Sequence, residues 1–225
     1  MTDIFTDDLA AALRLPGCPF CRIAPSDEHL WMETFQREGR NSQEGRRRFY
    51  DGGGFCRRHG WLFHQVCVER GSGTAIAAVY SALAKRDLQL LDQVENELIR
   101  VRTRRSPSLA RAAECSACTA VAERLERRAY FFVQMLRRRA AMERYRRSDG
   151  MCFDHLVAIV DVAVGEDREV ALFLVRDWQP RLADVRAQLA EFDRKRDHQF
   201  AAEPKGAEQH SWTDVIVRYV GADGT

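Results

Sequence analysis

A chain of 225 residues with 45% hydrophobic and 30% charged side chains and a formal net charge of +2 has the composition of a folded globular protein, long enough for one large domain or two small ones. That composition argues against a disordered chain, and no apolar run approaches the roughly 18 residues a membrane-spanning helix needs. The N-terminus, MTDIFTDDLAAALRL, opens on acidic residues without a basic region and apolar core, so the expected location is the cytoplasm. In that reducing compartment seven cysteines read as metal ligands, redox thiols or buried side chains before they read as disulfides.

In chain order the first motif is CPFC, Cys18 and Cys21. It is followed by a short helical stretch that Pro25 and Asn41 are expected to break. GGG at 52–54 predicts a turn, and GFCRRH then places Cys56 and His59 at the opening of another helix. Beyond Gly71 and Gly73 the spacing of Ile76, Val79, Leu83, Leu90, Val94, Leu98 and Val101 predicts a long helix. RRSPSL at 104–109, with Pro107, is the expected stop between two halves. The order then repeats. CSAC supplies Cys115 and Cys118, and a helix is predicted over 119–139 from Val121, Leu125, Tyr130, Phe132, Val133 and Leu136. GMCFDH supplies Cys152 and His155. A second long stripe runs through Val170, Leu174, Trp178, Leu182, Val185, Leu189 and Phe192, where Pro180 is expected to kink or divide the helix. The tail 199–225 is loop-like around EPKG and ends in an apolar segment, WTDVIVRYVG, that predicts a terminal helix.

CxxC followed by CxxH thus occurs twice, with Cys21 and Cys56 35 positions apart and Cys118 and Cys152 34 apart. Two thiolates two residues apart converge on one ion at a sulfur distance of about 2.3 Å, because the intervening turn folds back. Gly54 and Gly150, each two residues before a cysteine, supply a permissive backbone. The histidine three positions on lies on the same face if a helix begins at the cysteine. Taken half by half, the motifs predict two tetrahedral sets, Cys18, Cys21, Cys56 and His59 in the first and Cys115, Cys118, Cys152 and His155 in the second. A thioredoxin-type reading of CPFC would need a βαβ unit, and no such pattern surrounds it.

These readings predict an all-α helical bundle of two pseudo-symmetric repeats, about 1–106 and 107–198 with the tail 199–225, each repeat with a CxxC/CxxH metal knuckle, forming a single helical domain over 1–225. CPFC, GGFCRRH, CSAC and GMCFDH, together with the tail DRKRDHQFAAEPKGAEQHSW, resemble an uncharacterised bacterial family of helical proteins with duplicated CxxC…CxxH signatures, a domain of unknown function. The resemblance covers nearly the whole chain. It supports duplication and metal binding and implies no reaction.

The function expected from the motifs is a metal-binding accessory or interaction protein holding two zinc ions, with an unknown protein partner. The alternative is an iron–sulfur or redox and metal-handling protein using the same cysteines. Fourteen arginines against five acidic residues give the segment 100–150 a balance of +9. It is read as a solvated helix face in preference to a nucleic-acid surface, since no nucleic-acid-binding motif accompanies it. His198, His210 and Trp212, near Asp197, Glu203, Glu208 and Asp214, are read as a packed terminus in preference to a second metal or substrate site, and Cys67 as a small buried hydrophobe. No nucleophile elbow, phosphate loop or dinucleotide fingerprint occurs, so an enzymatic role is neither assigned nor excluded.

Overall fold

The computed structural model describes residues 4–100, 115–200 and 202–221, and every regular element among them is helical, as the apolar spacing predicts. In chain order these are α1 (Ile4–Ala12), α2 (Pro19–Thr34) running on into a π-helical turn (Phe35–Gly39), α3 (Gln43–Asp51), α4 (Arg57–Glu69) and α5 (Gly73–Arg100). After the segment that contains Val101, RRSPSL and Pro107, which lies outside the described residues, come α6 (Ser116–Leu136), α7 (Arg139–Arg147), α8 (Phe153–Glu166) and α9 (Arg168–Arg194). A short 3-10 turn (Ala207–His210) leads into α10 (Ser211–Val220), the terminal helix that WTDVIVRYVG predicts. No helix among the described residues is long and apolar enough to cross a membrane.

The chain divides into two compact units, Met1–Pro25 with Arg124–Thr225 and Ser26–Glu123, so the first is discontinuous in sequence. In the discontinuous unit Leu9 and Leu13, Phe20, Phe132, Val133 and Leu136, Tyr145, Ile159, Leu174 and Trp178 form one buried cluster. Burying each such side chain contributes about 1.5–3 kcal/mol, which is why the apolar stripe outweighs local propensity here. Trp178 is fixed further by its indole N–H, which donates to the Met151 carbonyl at 3.0 Å. In the continuous unit four phenylalanines dominate the core. Phe49 and Phe35 each meet Phe55 edge-on, with ring centroids 4.8 and 5.0 Å apart, and Phe63 is fully buried beside them. Cys67 packs into this cluster as a small hydrophobe, as its flanking valines predict.

Neither proline divides its helix, which corrects the expected break at Pro25. α2 runs through Pro25, and only the turn before α3, near Asn41, ends the first stretch. α9 likewise continues undivided through Pro180. Both prolines are exposed, so neither ring displaces core side chains, while Leu174, Trp178 and Val185 anchor α9 on either side of Pro180. The α5 stripe is buried at Val79, Leu83 and Val94, but Leu98 is exposed, and in α6 Tyr130 turns outward while Phe132, Val133 and Leu136 turn in.

Candidate metal centres

Four helices open on the four motifs. Cys56 and Cys152 are the capping residues of α4 and α8, and Cys18 and Cys115 immediately precede the first residues of α2 and α6. In each case the carbonyl of that cysteine accepts the first helical hydrogen bond, from Gly60, Leu156, Arg22 and Thr119 respectively, at 2.8–3.2 Å. Cys21, His59, Cys118 and His155 therefore all occupy the third helical position, one turn on and above the capping residue. This is the juxtaposition that lets a capping side chain and a third-position side chain meet. Gly54 and Gly150 take positive φ, +87° and +77°, on the approach to the two CxxH helices, as their positions predict. A Cβ on Gly54 would also stand 2.8 Å from a methyl of Leu83.

All eight residues that the motifs nominate are gathered into two groups, but the grouping crosses the halves of the sequence. Cys18 and Cys21 meet Cys152 and His155, and Cys56 and His59 meet Cys115 and Cys118. The expected pairing of each CxxC with the CxxH that follows it is therefore corrected. The first group lies wholly within the discontinuous unit and the second wholly within the continuous one. Each site joins the N-termini of two helices, α2 with α8 and α4 with α6.

In the first site Nδ1 of His155 lies 3.6, 3.4 and 3.0 Å from the sulfurs of Cys18, Cys21 and Cys152, and the Cys21 and Cys152 sulfurs are 3.7 Å apart. In the second, Nδ1 of His59 lies 3.3, 3.6 and 3.3 Å from Cys56, Cys115 and Cys118, with Cys56 and Cys118 3.8 Å apart. An ion with metal–sulfur bonds of about 2.3 Å and metal–nitrogen bonds of about 2.0 Å defines a tetrahedron with sulfur–sulfur edges of about 3.8 Å and sulfur–nitrogen edges of about 3.5 Å. The sulfur–sulfur edge given for each group matches, and the sulfur–nitrogen edges lie within about 0.2 Å except Cys152–His155, which at 3.0 Å is shorter.

The surroundings differ. Cys18 and Cys152 are buried, the His155 ring stacks on Phe20 with centroids 5.5 Å apart, and the two ligand loops are tied where the Gly17 N–H donates to an Asp149 carboxylate oxygen at 2.8 Å. Gly221, which ends α10, packs so closely on this site that a Cβ there would fall 2.3 Å from the Cys21 sulfur. In the second site Cys118 is exposed and His59 is buried, with no hydrogen-bond partner for its Nε2 among the described residues.

The electrostatics explain what such a group does to its own protons. Hydrogen bonds from Cys152 and Cys21 hold the Cys18 thiol far below its ordinary range, and the same network pushes Cys21 far above it. Cys18 and Cys21 thus titrate as a coupled pair driven in opposite directions. Cys118 is pushed up to about 12, first by desolvation of its sulfur and then by Cys115 and Cys56. Cys18, Cys21, Cys152 and His155, and likewise Cys56, His59, Cys115 and Cys118, would hold a divalent cation as thiolates and a neutral imidazole, and the ion's charge would favour loss of the thiol protons. The positive ends of two helix dipoles face each group and favour the same outcome.

The remaining candidates do not assemble. His198 is exposed beside Asp197, His210 is exposed, and Trp212 donates its indole N–H to the Gln209 carbonyl at 3.0 Å. Glu208 is committed to the Lys195 ammonium and the Gly206 N–H, at 3.0 and 2.8 Å. Within the basic segment Arg128 is buried over the Phe5 ring and near Asp8, and Arg137 pairs with Asp167 at 2.9 Å, while the arginines at 102, 104, 105 and 111 lie outside the described residues.

The chain belongs to DUF6062, a family of unknown function, whose family model matches residues 11–221. That span includes all eight clustered residues and α10. No curated protein and no solved structure matches the chain.

Proposed function

We propose that this DUF6062 member is an accessory or interaction protein built around two closed, single-ion zinc sites. The observation that carries the reading is that six cysteines and two histidines fall into two groups whose donor atoms all lie within 4.8 Å of one another. Four protein donors complete a tetrahedron and leave no open position for a substrate or a reactive water, which favours a structural ion over a catalytic one. A multi-iron cluster distributes its ligands over several irons and separates them more widely, so the short edges favour one ion per site over a cluster. Thiolate and imidazole donors in tetrahedral array suit zinc among the divalent ions. The metal then fastens two helix N-termini that the sequence leaves far apart, and the expected setting is the cytoplasm with a protein partner.

Elemental analysis and visible absorption of anaerobically purified protein test this reading. Two zinc ions per chain and a colourless solution are expected. Iron with inorganic sulfide and a visible band would replace zinc with a cluster, and one ion or none per chain would overturn the two-site account.

A further inference from the structure

Beside the second metal centre, α4 and α5 line an open cavity of about 440 Å³ that neither motif accounts for. Its floor is Phe55 and Phe63, both buried, and its α5 wall is Ile76 and Tyr80. Arg57, Trp61 and His64 line it from α4 at i, i+4 and i+7, one face of the helix. Trp61 is 67% exposed and so presents an indole face at the mouth of the cavity.

The charge at this cavity is one-sided. No carboxylate lines it, whereas the guanidinium of Arg57 does. The neighbouring Arg58 is occupied by Glu28, with guanidinium–carboxylate distances of 2.7 and 2.8 Å, but Arg57 makes no ion pair among the described residues. The volume falls in the range of small-molecule sites, which pair apolar walls with a few polar groups that fix orientation. An aromatic wall recognises a flat apolar body, and an unneutralised guanidinium recognises a carboxylate in the fork geometry that suits it.

We propose that this cavity binds a small aromatic monocarboxylate, its ring against Trp61 and the rim of Phe55 and its carboxylate on Arg57. Binding is noncovalent and involves no chemistry at Cys56, which borders the cavity.

The test is calorimetric titration of the metal-loaded full chain with naphthoate and with its neutral counterpart naphthalenemethanol, alongside tryptophan fluorescence. Naphthoate should bind saturably at one site per chain and quench Trp61. The alcohol, and naphthoate on Arg57→Gln, should bind roughly tenfold more weakly, the factor a lost charge-assisted hydrogen bond commonly costs. Ile76→Trp fills the cavity from α5, away from the clustered cysteines, and should abolish binding with metal content unchanged. This second variant guards against Arg57→Gln acting through the adjacent Cys56. Equal affinity for acid and alcohol, binding retained by Ile76→Trp, or no saturable binding to the wild type would each overturn the proposal.

Discussion

Gly221 shows how much one missing Cβ can matter. It ends α10 at φ +87° and ψ 173°, a region essentially reserved for glycine, and it lies directly on the Cys21 sulfur. Gly221→Ala should therefore combine backbone strain of about 1–3 kcal/mol with a collision at a ligand. Gly17 has nearly the same φ, +86°, but open space where its Cβ would go, so Gly17→Ala carries the strain without the collision. In a chelator competition Gly221→Ala should lose the metal of the first site much faster than wild type, and Gly17→Ala should not. Equal loss in both variants would show that α10 has no hold on that site. The close approach was not legible in the sequence, because a glycine after an apolar helix reads only as a cap. The ligand residues were legible, since a metal fixes both residue type and spacing.

At the scale of elements, the N-terminal turn of a helix is the recurring device, and its i, i+3 geometry explains why CxxC and CxxH were recognisable. The same fact hid the pairing. A motif confined to one turn is the same whichever second helix it meets, and the near-equal intervals of 35 and 34 residues pointed to the wrong partner. Pro25 misled for a related reason: local propensity says where a helix is costly, whereas packing decides whether it persists. Pro180→Ala should restore a backbone donor on the exposed face of α9 and raise the melting temperature, with a gain of about 1 kcal/mol or more and unchanged helix content. A fall in stability would mean that the helix needs its proline. The tail supplies a pH test. The Gly206 N–H and the Lys195 ammonium lower the Glu208 pKa from 4.5 to about 2. Because the folded value lies below the unfolded one, the stabilisation is fully present above about pH 4.5 and is lost as pH falls toward 2. Glu208→Gln should thus be less stable than wild type at neutral pH, with the gap in thermal denaturation closing in acid. A gap that did not depend on pH would remove the carboxylate from the account.

Across the whole molecule, each compact unit holds one complete ligand group, and each group closes a loop far longer than the 34 or 35 residues that the sequence suggested. Cys18 and Cys152 are brought together from positions 18 and 152, Cys56 and Cys118 from 56 and 118. Structural zinc in small peptides contributes apparent binding energies of about 10–16 kcal/mol, which are folding energies because no preformed site exists without the fold. A large helical core softens that dependence, so each ion should stabilise chiefly its own unit. The helical class and the ligand set could be read from periodicity and spacing. The interleaving of the two units could not, since it depends on which helix N-termini meet.

The crosswise pairing is the claim on which the rest depends, and metal counting by native mass spectrometry of two double variants tests it most directly. Cys18→Ser with Cys152→Ser removes two ligands from one site and should leave one metal per chain, whereas Cys18→Ser with Cys56→Ser damages both sites and should leave none. The opposite result, none for the first pair and one for the second, would restore the pairing within sequence halves and contradict the account.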